Sequence, residues 1–210
     1  MEFRDSFLDE LLRHDGPGDA TASTLCCSCN KVEGSIKCKD CFCQLLRCRQ
    51  CVVDAHKDLP LHCVEVSSKM ICLVLFAVLT RLLQQWTGKF FEKITLKSLG
   101  LCYQLGHGGS RCPLPSHGPS DFLIFDTTGV HHIAVDFCDC RPGIFHRRIQ
   151  LLRTRWFPAT VNRPKTVFTF NVLQTFHELS LQGKTTAFDF YYSILRITDN
   201  LQLGKYTVCI

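Results

Sequence analysis

CCSCNKVEGSIKCKDCFCQLLRCRQCVVDAHKDLPLH, residues 26–62, is the stretch on which the reading of the whole chain turns. It holds three C-x2-C pairs, Cys26/Cys29, Cys38/Cys41 and Cys48/Cys51, followed by His56 and His62. Zinc takes four sulfur or nitrogen ligands in a tetrahedron, and a two-residue gap lets one turn deliver two thiolates to one ion. Six cysteines and two histidines therefore suit two zinc ions. Two pairings satisfy the spacing. A sequential one groups Cys26, Cys29, Cys38 and Cys41, then Cys48, Cys51, His56 and His62. An interleaved one groups Cys26, Cys29, Cys48 and Cys51, then Cys38, Cys41, His56 and His62. Cys27, Cys43 and Cys63 are spare thiols, with Cys27 able to replace Cys26 and Cys43 able to replace Cys41. So short a segment has little apolar core, and metal binding would supply much of its folding free energy.

Working outward, the chain has 210 residues, 46% of them hydrophobic, and a formal net charge of +5. That is room for one ordinary domain beside a small one, and the mild charge neither demands nor excludes a nucleic-acid partner. Nine of the fifteen cysteines lie between Cys26 and Cys63. The N-terminus, Met-Glu-Phe-Arg-Asp, carries acids and no apolar signal region, so an intracellular setting is expected, where clustered thiols read as metal ligands. Met70 to Leu79 (MICLVLFAVL) is apolar for ten residues. A membrane span needs roughly 18 or more, so no membrane is expected.

Residues 3–12 (FRDSFLDELL) place Phe3, Phe7, Leu8, Leu11 and Leu12 at helical spacing, and residues 1–24 read as a helix followed by a polar linker. The zinc module occupies 25–66, an apolar insert 67–85, a mixed domain 86–200 and a tail 201–210. Within the mixed domain, Phe122 to Phe125 and Val130 to Phe137 read as two strands around a turn at Thr127 to Gly129. Thr166 to Leu181 and Thr185 to Thr198 read as two helices, the first stopping at Gly183. His107, Cys112, Cys138 and Cys140 form a candidate third metal site, with His146 as a substitute ligand.

Between Arg141 and Phe170 there is no acidic residue, while Arg141, Arg147, Arg148, Arg153, Arg155, Arg163 and Lys165 fall in the same stretch. Trp156 and Phe157 are interleaved with them. Arginine forks and exposed aromatics suit phosphate contact and base stacking. Arg147, Arg148, Arg153 and Arg155 are the candidates for phosphate contact. Asp126, Asp136, Asp189 and Asp199 are available acids, yet no spacing singles out a two-metal nuclease triad. No enzymatic activity and no small-molecule substrate are expected.

The residues now in hand carry a resemblance. The module Cys26–His62, LGH (105–107), DFLIFDTTGVHHIAVDFCDC (121–140), QLLRTRWFPATVNRP (150–164) and TAFDFYYSILRITDN (186–200) together resemble the cysteine-cluster domain associated with KDZ (Kyakuja, Dileera and Zisupton) transposases of fungi. The module itself resembles B-box zinc domains, which implies the interleaved pairing. The resemblance implies a non-catalytic, zinc-dependent domain contacting DNA or a transposase-related protein, in a nuclear setting. A degenerate transposase fragment without activity is the alternative. The catalytic transposase region has no counterpart here. The family runs more directly from the zinc module to a segment like QWTGKFFEK (85–93), so the apolar insert reads as an unspliced intron. Transcript sequencing across Ser67 and Gln85 decides that point. The fold class expected is α+β: a small B-box-like zinc module, then a mixed domain with a central β-hairpin and C-terminal helices.

Overall fold

In the computed structural model, residues 3–15, 25–42, 45–67, 91–107, 110–140 and 146–199 are described. The linker, the apolar insert beyond Ser67 and the tail expected from the sequence lie outside them. The described residues form five α-helices and three small sheets, an α+β fold. The chain divides into two units, Met1–Leu99 and Gly100–Ile210.

The first unit opens with α1 (Arg4–Asp15), whose apolar residues Phe7, Leu8, Leu11 and Leu12 are all exposed, as is Phe3 just before it. Strands β1 (Ile36–Cys38), β2 (Val64–Ser67) and β3 (Phe91–Ile94) form an antiparallel sheet in that order. Segment 91–94 thus pairs with the cysteine-rich module, although the sequence assigns it to the domain that follows. A short helix, α2 (Arg49–Ala55), lies between β1 and β2 in the chain. The buried core is small, with Ile36, Val52, Val64 and Val66 as its aliphatic centre. It also contains a charged cross-strand pair: Lys37 and Glu65 face each other across β1 and β2, 3.9 Å apart. Buried ion pairs contribute little net stability, because desolvation offsets their attraction.

In the second unit, β6 (Leu123–Asp126) and β7 (Gly129–His132) form the expected hairpin. The sequence extends the second strand unbroken to Phe137, but the structure splits it. Strand β8 (Ala134–Cys138) belongs to another sheet, between β4 (Cys102–Gln104) and β5 (Pro115–His117). The reason is a change of phase: Val130 is buried at an even position, whereas Ile133, Val135 and Phe137 are buried at odd ones. One residue of slip turns a strand's apolar face over, so the chain changes sheet there.

The segment from 147 to 169, read only as mixed basic and apolar, contains α3 (Arg147–Arg153), β9 (Trp156–Pro158) and β10 (Thr166–Thr169). Strand β10 lies parallel to β6 and antiparallel to β9, giving the order β7-β6-β10-β9. The helix expected from Thr166 starts later, as α4 (Phe170–Gln182). Thr166-Val-Phe-Thr suits a strand through its β-branched residues, and Thr169 caps the helix by accepting from Val172 N at 3.1 Å. Helix α5 (Ala187–Thr198) is capped by Thr186. Both helices cover the four-stranded sheet, burying Phe125, Val130, Val172 and Ile194 with Tyr191 and Phe168 against them.

Asp126, at the end of β6, ties hairpin to helix. Its carboxylate accepts from Thr169 Oγ1 at 2.6 Å and from Thr128 N and Oγ1 at 3.2 and 2.9 Å. Burial works against its charge, but the hydroxyls of Thr169 and Thr128 outweigh it and hold the carboxyl below its usual range. A depressed native pKa stabilises the fold above the ordinary value of 3.8, and that contribution is lost as pH falls through the native value. Asp126→Asn is expected to cost about 1.5–3 kcal/mol at neutral pH by denaturant unfolding, from charged hydrogen bonds lost or weakened. A change within 0.5 kcal/mol would refute this role.

Candidate metal centres

Three groups of four His/Cys residues come together among the described residues: Cys26, Cys29, Cys48 and Cys51; Cys38, Cys41, His56 and His62; and His107, Cys112, Cys138 and Cys140. Within each group all ligand atoms lie within 4.8 Å of one another. The first two sets are interleaved along the chain. Cys27 lies exposed outside both, its Sγ 3.8 Å from Ser28 Oγ. Cys63 is half-buried and outside them too. Cys43 lies outside the described residues.

Local geometry explains how each ligand is presented. Cys26 N donates to Val32 O and Asn30 N to Cys26 O, closing a knuckle in which Asn30 takes φ 52°. Cys27 N donates to Leu46 O, which brings the segment before Cys48 alongside this knuckle. The close approach requires Gly34, where a Cβ would stand 2.7 Å from Leu46 O. Helix α2 serves both sets: Cys48 is its N-cap, Cys51 lies in its first turn and His56 is its C-cap. Cys38 ends β1, and His62 immediately precedes Cys63 and β2.

Zinc, about 2.3 Å from sulfur and 2.0–2.1 Å from nitrogen, sets tetrahedral edges of about 3.8 Å between sulfurs and about 3.6 Å between nitrogen and sulfur. Cys29 and Cys48 sulfurs are 4.0 Å apart. His62 Nδ1 lies 3.4 Å from Cys38 Sγ and 3.5 Å from Cys41 Sγ, and His56 Nε2 lies 3.5 Å from Cys41 Sγ. These edges match zinc without rearrangement. His56 is fully buried, and its Nδ1 donates to Val52 O at 2.7 Å. A carbonyl can only accept, so the proton sits on Nδ1 and Nε2 is left with its lone pair for a metal. Burial also lowers the pKa of His56, keeping the ring neutral.

The thiols of the first two sets are poised unequally. Burial opposes ionisation of Cys26, but the main-chain amides of Cys48, Cys29 and Ser28 outweigh it and bring its pKa down to about 6. Cys51, hydrogen-bonded to Cys48, is pushed up to about 12, and burial pushes Cys38 to about 12. A metal must displace the protons these thiols hold, so binding strengthens as pH rises.

The third set joins different elements. His107 follows β4, Cys112 precedes β5, Cys138 ends β8 and Cys140 lies two residues beyond it. His107 Nε2 is 3.1 Å from Cys138 Sγ and 3.3 Å from Cys140 Sγ, and the two sulfurs are 3.0 Å apart. These edges are shorter than a tetrahedron requires, the sulfur pair by about 0.8 Å, so the cage must open to take an ion. The shared hydrogen bond with Cys140 leads in holding Cys138 down at about 7, and the same bond pushes Cys140 up to about 11. His146 is exposed at the N-cap of α3 and stands apart from this set.

The four arginines do not share one face. Arg148 and Arg153 leave α3 about 140° apart, at 3.6 residues per turn. Arg147 donates to Ser116 Oγ at 2.9 Å, and its guanidinium lies 4.9 Å from the centre of the Phe137 ring. Arg153 and Arg155 are exposed, with Arg155 at φ 63° just beyond the helix. Of the two interleaved aromatics, Trp156 is buried against Tyr103 and belongs to the core, while Phe157 is half exposed. The acids have local partners: Asp136 accepts from His117 at 2.6 Å, and Asp189 accepts from Thr186 Oγ1. Asp199 caps α5. Sequence reasoning missed Gln150, which is 1% exposed and hydrogen-bonded to Cys138 on both sides of its backbone. Nothing in the sequence distinguishes it from a solvated helix residue.

Among the described residues no helix is long and apolar enough to cross a membrane. A family model described as a CxC2-like cysteine cluster associated with KDZ transposases matches residues 96–202, half of the chain. The match takes in the third set, the arginine segment and the two C-terminal helices, and begins after the module of 26–62. No curated protein and no solved structure matches the chain.

Proposed function

We propose that this chain, which belongs to the family of CxC2-like cysteine clusters associated with KDZ transposases, is a zinc-held module that contacts DNA and is not itself a catalyst. The observation carrying this reading is the convergence of three His/Cys tetrads, each with four ligand atoms within 4.8 Å. Four protein ligands fill a tetrahedral site and leave no position for water or substrate, the pattern of structural rather than catalytic zinc. Borderline-soft sulfur and nitrogen donors favour zinc over magnesium or calcium.

Contact with DNA is supported by the acid-free segment 141–170 and by the family's association with transposases, and a nuclear setting accords with both. Arg148, Arg153 and Arg155 would meet phosphates, with the half-exposed Phe157 beside them offering a stacking face. Arg147 contributes mainly to the fold, through Ser116 and Phe137. Each neutralised phosphate adds about 0.9 to the slope of log K against log salt. Replacing Arg148, Arg153 and Arg155 with Ala is therefore expected to reduce that slope by about 2–3 in duplex DNA binding. An unchanged slope would sink the assignment.

A second reading, contact with a transposase-related protein, is favoured by α5. Phe188 and Tyr192 are exposed there with ring centres 4.5 Å apart, and Ile197 is exposed further along. Aromatic pairs of this kind often anchor protein interfaces.

A further inference from the structure

We propose that Gln150 is a positioning residue which makes helix α3, the bearer of Arg147, Arg148 and Arg153, depend on metal at the His107–Cys112–Cys138–Cys140 set. This inference rests on the reading that the set holds a metal ion. None of its four ligands lies on α3, so the link is made by a side chain that cannot itself be a preferred zinc ligand.

The geometry is specific. Gln150 accepts from Cys138 N through Oε1 at 2.8 Å and donates from Nε2 to Cys138 O at 2.8 Å. One carboxamide thus satisfies both backbone groups of a metal-site cysteine, as a neighbouring strand would. The strands cannot supply both bonds. In the ladder with β5 it is Val135 and Asp139 that bond, Val135 O accepting from Gly118 N and Asp139 N donating to Leu114 O, so the N–H and C=O of Cys138 face away from β5, and on their side the pairing with β4 ends at Asp136. Without Gln150, a buried N–H and C=O beside the cluster would lose their partners.

Room for this clamp is made by Gly106, which directly precedes His107. Its φ is +84°, and a Cβ there would stand 2.7 Å from Cys138 Cβ and 3.0 Å from Gln150 Oε1. Leu105 N also donates to Asp136 O at 2.8 Å. The turn carrying His107, the end of β8 and helix α3 therefore converge on one point.

Helix α3 needs such an anchor. It spans seven residues, has no side-chain cap and carries no acid in its first turn. Helices that short are marginal on their own and take their stability from tertiary contacts. The buried contacts of α3 are Gln150 and Leu151, aided by Arg147 over Phe137. A metal that fixes Cys138 fixes the residue to which Gln150 is tied. By linkage, the tie in turn slows loss of the metal.

The test uses the full chain, as wild type, Gln150→Leu and Cys140→Ser. Native mass spectrometry counts zinc, chelator competition gives release rates, and deuterium uptake reports on residues 147–153. The wild type should hold three ions. Gln150→Leu should release one of them about 10–100-fold faster, the usual effect of removing a partner that orients a ligand. The other two should leave at wild-type rates. Cys140→Ser, which leaves Gln150 and the buried core intact, should hold two ions. It should raise deuterium uptake in 147–153 but not in 187–198. Unchanged uptake in Cys140→Ser, with the ion lost, would overturn the coupling while leaving the metal site in place. Unchanged release in a folded Gln150→Leu would do the same. If Gln150→Leu does not fold, the uptake in Cys140→Ser decides alone. A wild type holding only two ions, with this set empty, would overturn the metal reading and the coupling with it.

Discussion

Cys48→Ser is expected to strip both ions from the 26–62 module and to unfold it, so that zinc per chain falls from three to one. The fall should be two ions rather than one because Cys48 is the N-cap of α2, and that helix also carries Cys51 for its own set and His56 for the other. Little else holds the segment. Its aliphatic centre is Ile36, Val52, Val64 and Val66, beside a buried Lys37–Glu65 pair. Structural zinc contributes an apparent ~10–16 kcal/mol in isolated finger peptides, more than such a core can replace. Cys27→Ser is the control: its thiol is exposed and outside both sets, so three ions and a dispersed amide NMR spectrum should remain. Loss of a single ion from Cys48→Ser, with the spectrum intact, would make the two sites independent. A chelated wild type with an unchanged spectrum would remove metal from the account of this fold altogether.

Phe137→Ala should be the most damaging single truncation near the third set, and Phe157→Ala the informative contrast. Phe137 is fully buried on β8, one residue before Cys138, and its ring lies under the Arg147 guanidinium. Its Cε2 would be 3.2 Å from a Cβ at Gly118, so the ring is closely enclosed. Truncating a buried phenylalanine costs about 3–5 kcal/mol, against a typical total stability of roughly 5–15 kcal/mol. Phe157 is half exposed, and its removal should cost under about 1 kcal/mol. Denaturant midpoints followed by the fluorescence of buried Trp156 would compare the two. Equal costs would mean that Phe157, too, is enclosed in solution.

The metal-ligand candidates were legible because C-x2-C spacing is a local property: two residues are what one knuckle needs. Which pair joins which is not local, and both schemes fit the sequence equally. In the structure the interleaved groups are the ones that converge, with Leu46 O brought to Cys27 N, a contact between residues nineteen apart. The β6–β7 hairpin was readable from alternation around Thr127–Gly129. Its continuation was not, because the break at Ile133 is a one-residue change of phase inside an apolar run. Strands β4, β5 and β9 are three residues each, too short for alternation to register. Pro115 argues against a strand unless, as here, the strand is at an edge. Strand β10 is read into the helix after it, since Phe170, Leu173, Phe176, His177 and Leu181 have helical spacing and no glycine or proline separates Thr166 from Phe170. The arginines were visible as a composition, but their directions depend on a helix that the sequence hid.

The overlapping order of ligands along the chain has a consequence during synthesis. Cys26, Cys29, Cys38 and Cys41 leave the ribosome before Cys48, at roughly 5–20 residues per second. An ion captured by those first four thiols has a complete tetrahedron of sulfurs, but it joins two pairs that belong to different finished sites. Reaching the final arrangement then requires thiolate exchange, with Cys48 and Cys51 displacing Cys38 and Cys41. The same overlap works in the opposite sense once assembly is complete. Each loop is threaded with ligands of the other, so peeling back either end frees two ligands of one ion and also loosens the loop that holds a pair of the other. Error-prone entry and coupled exit are thus two sides of one sequence order.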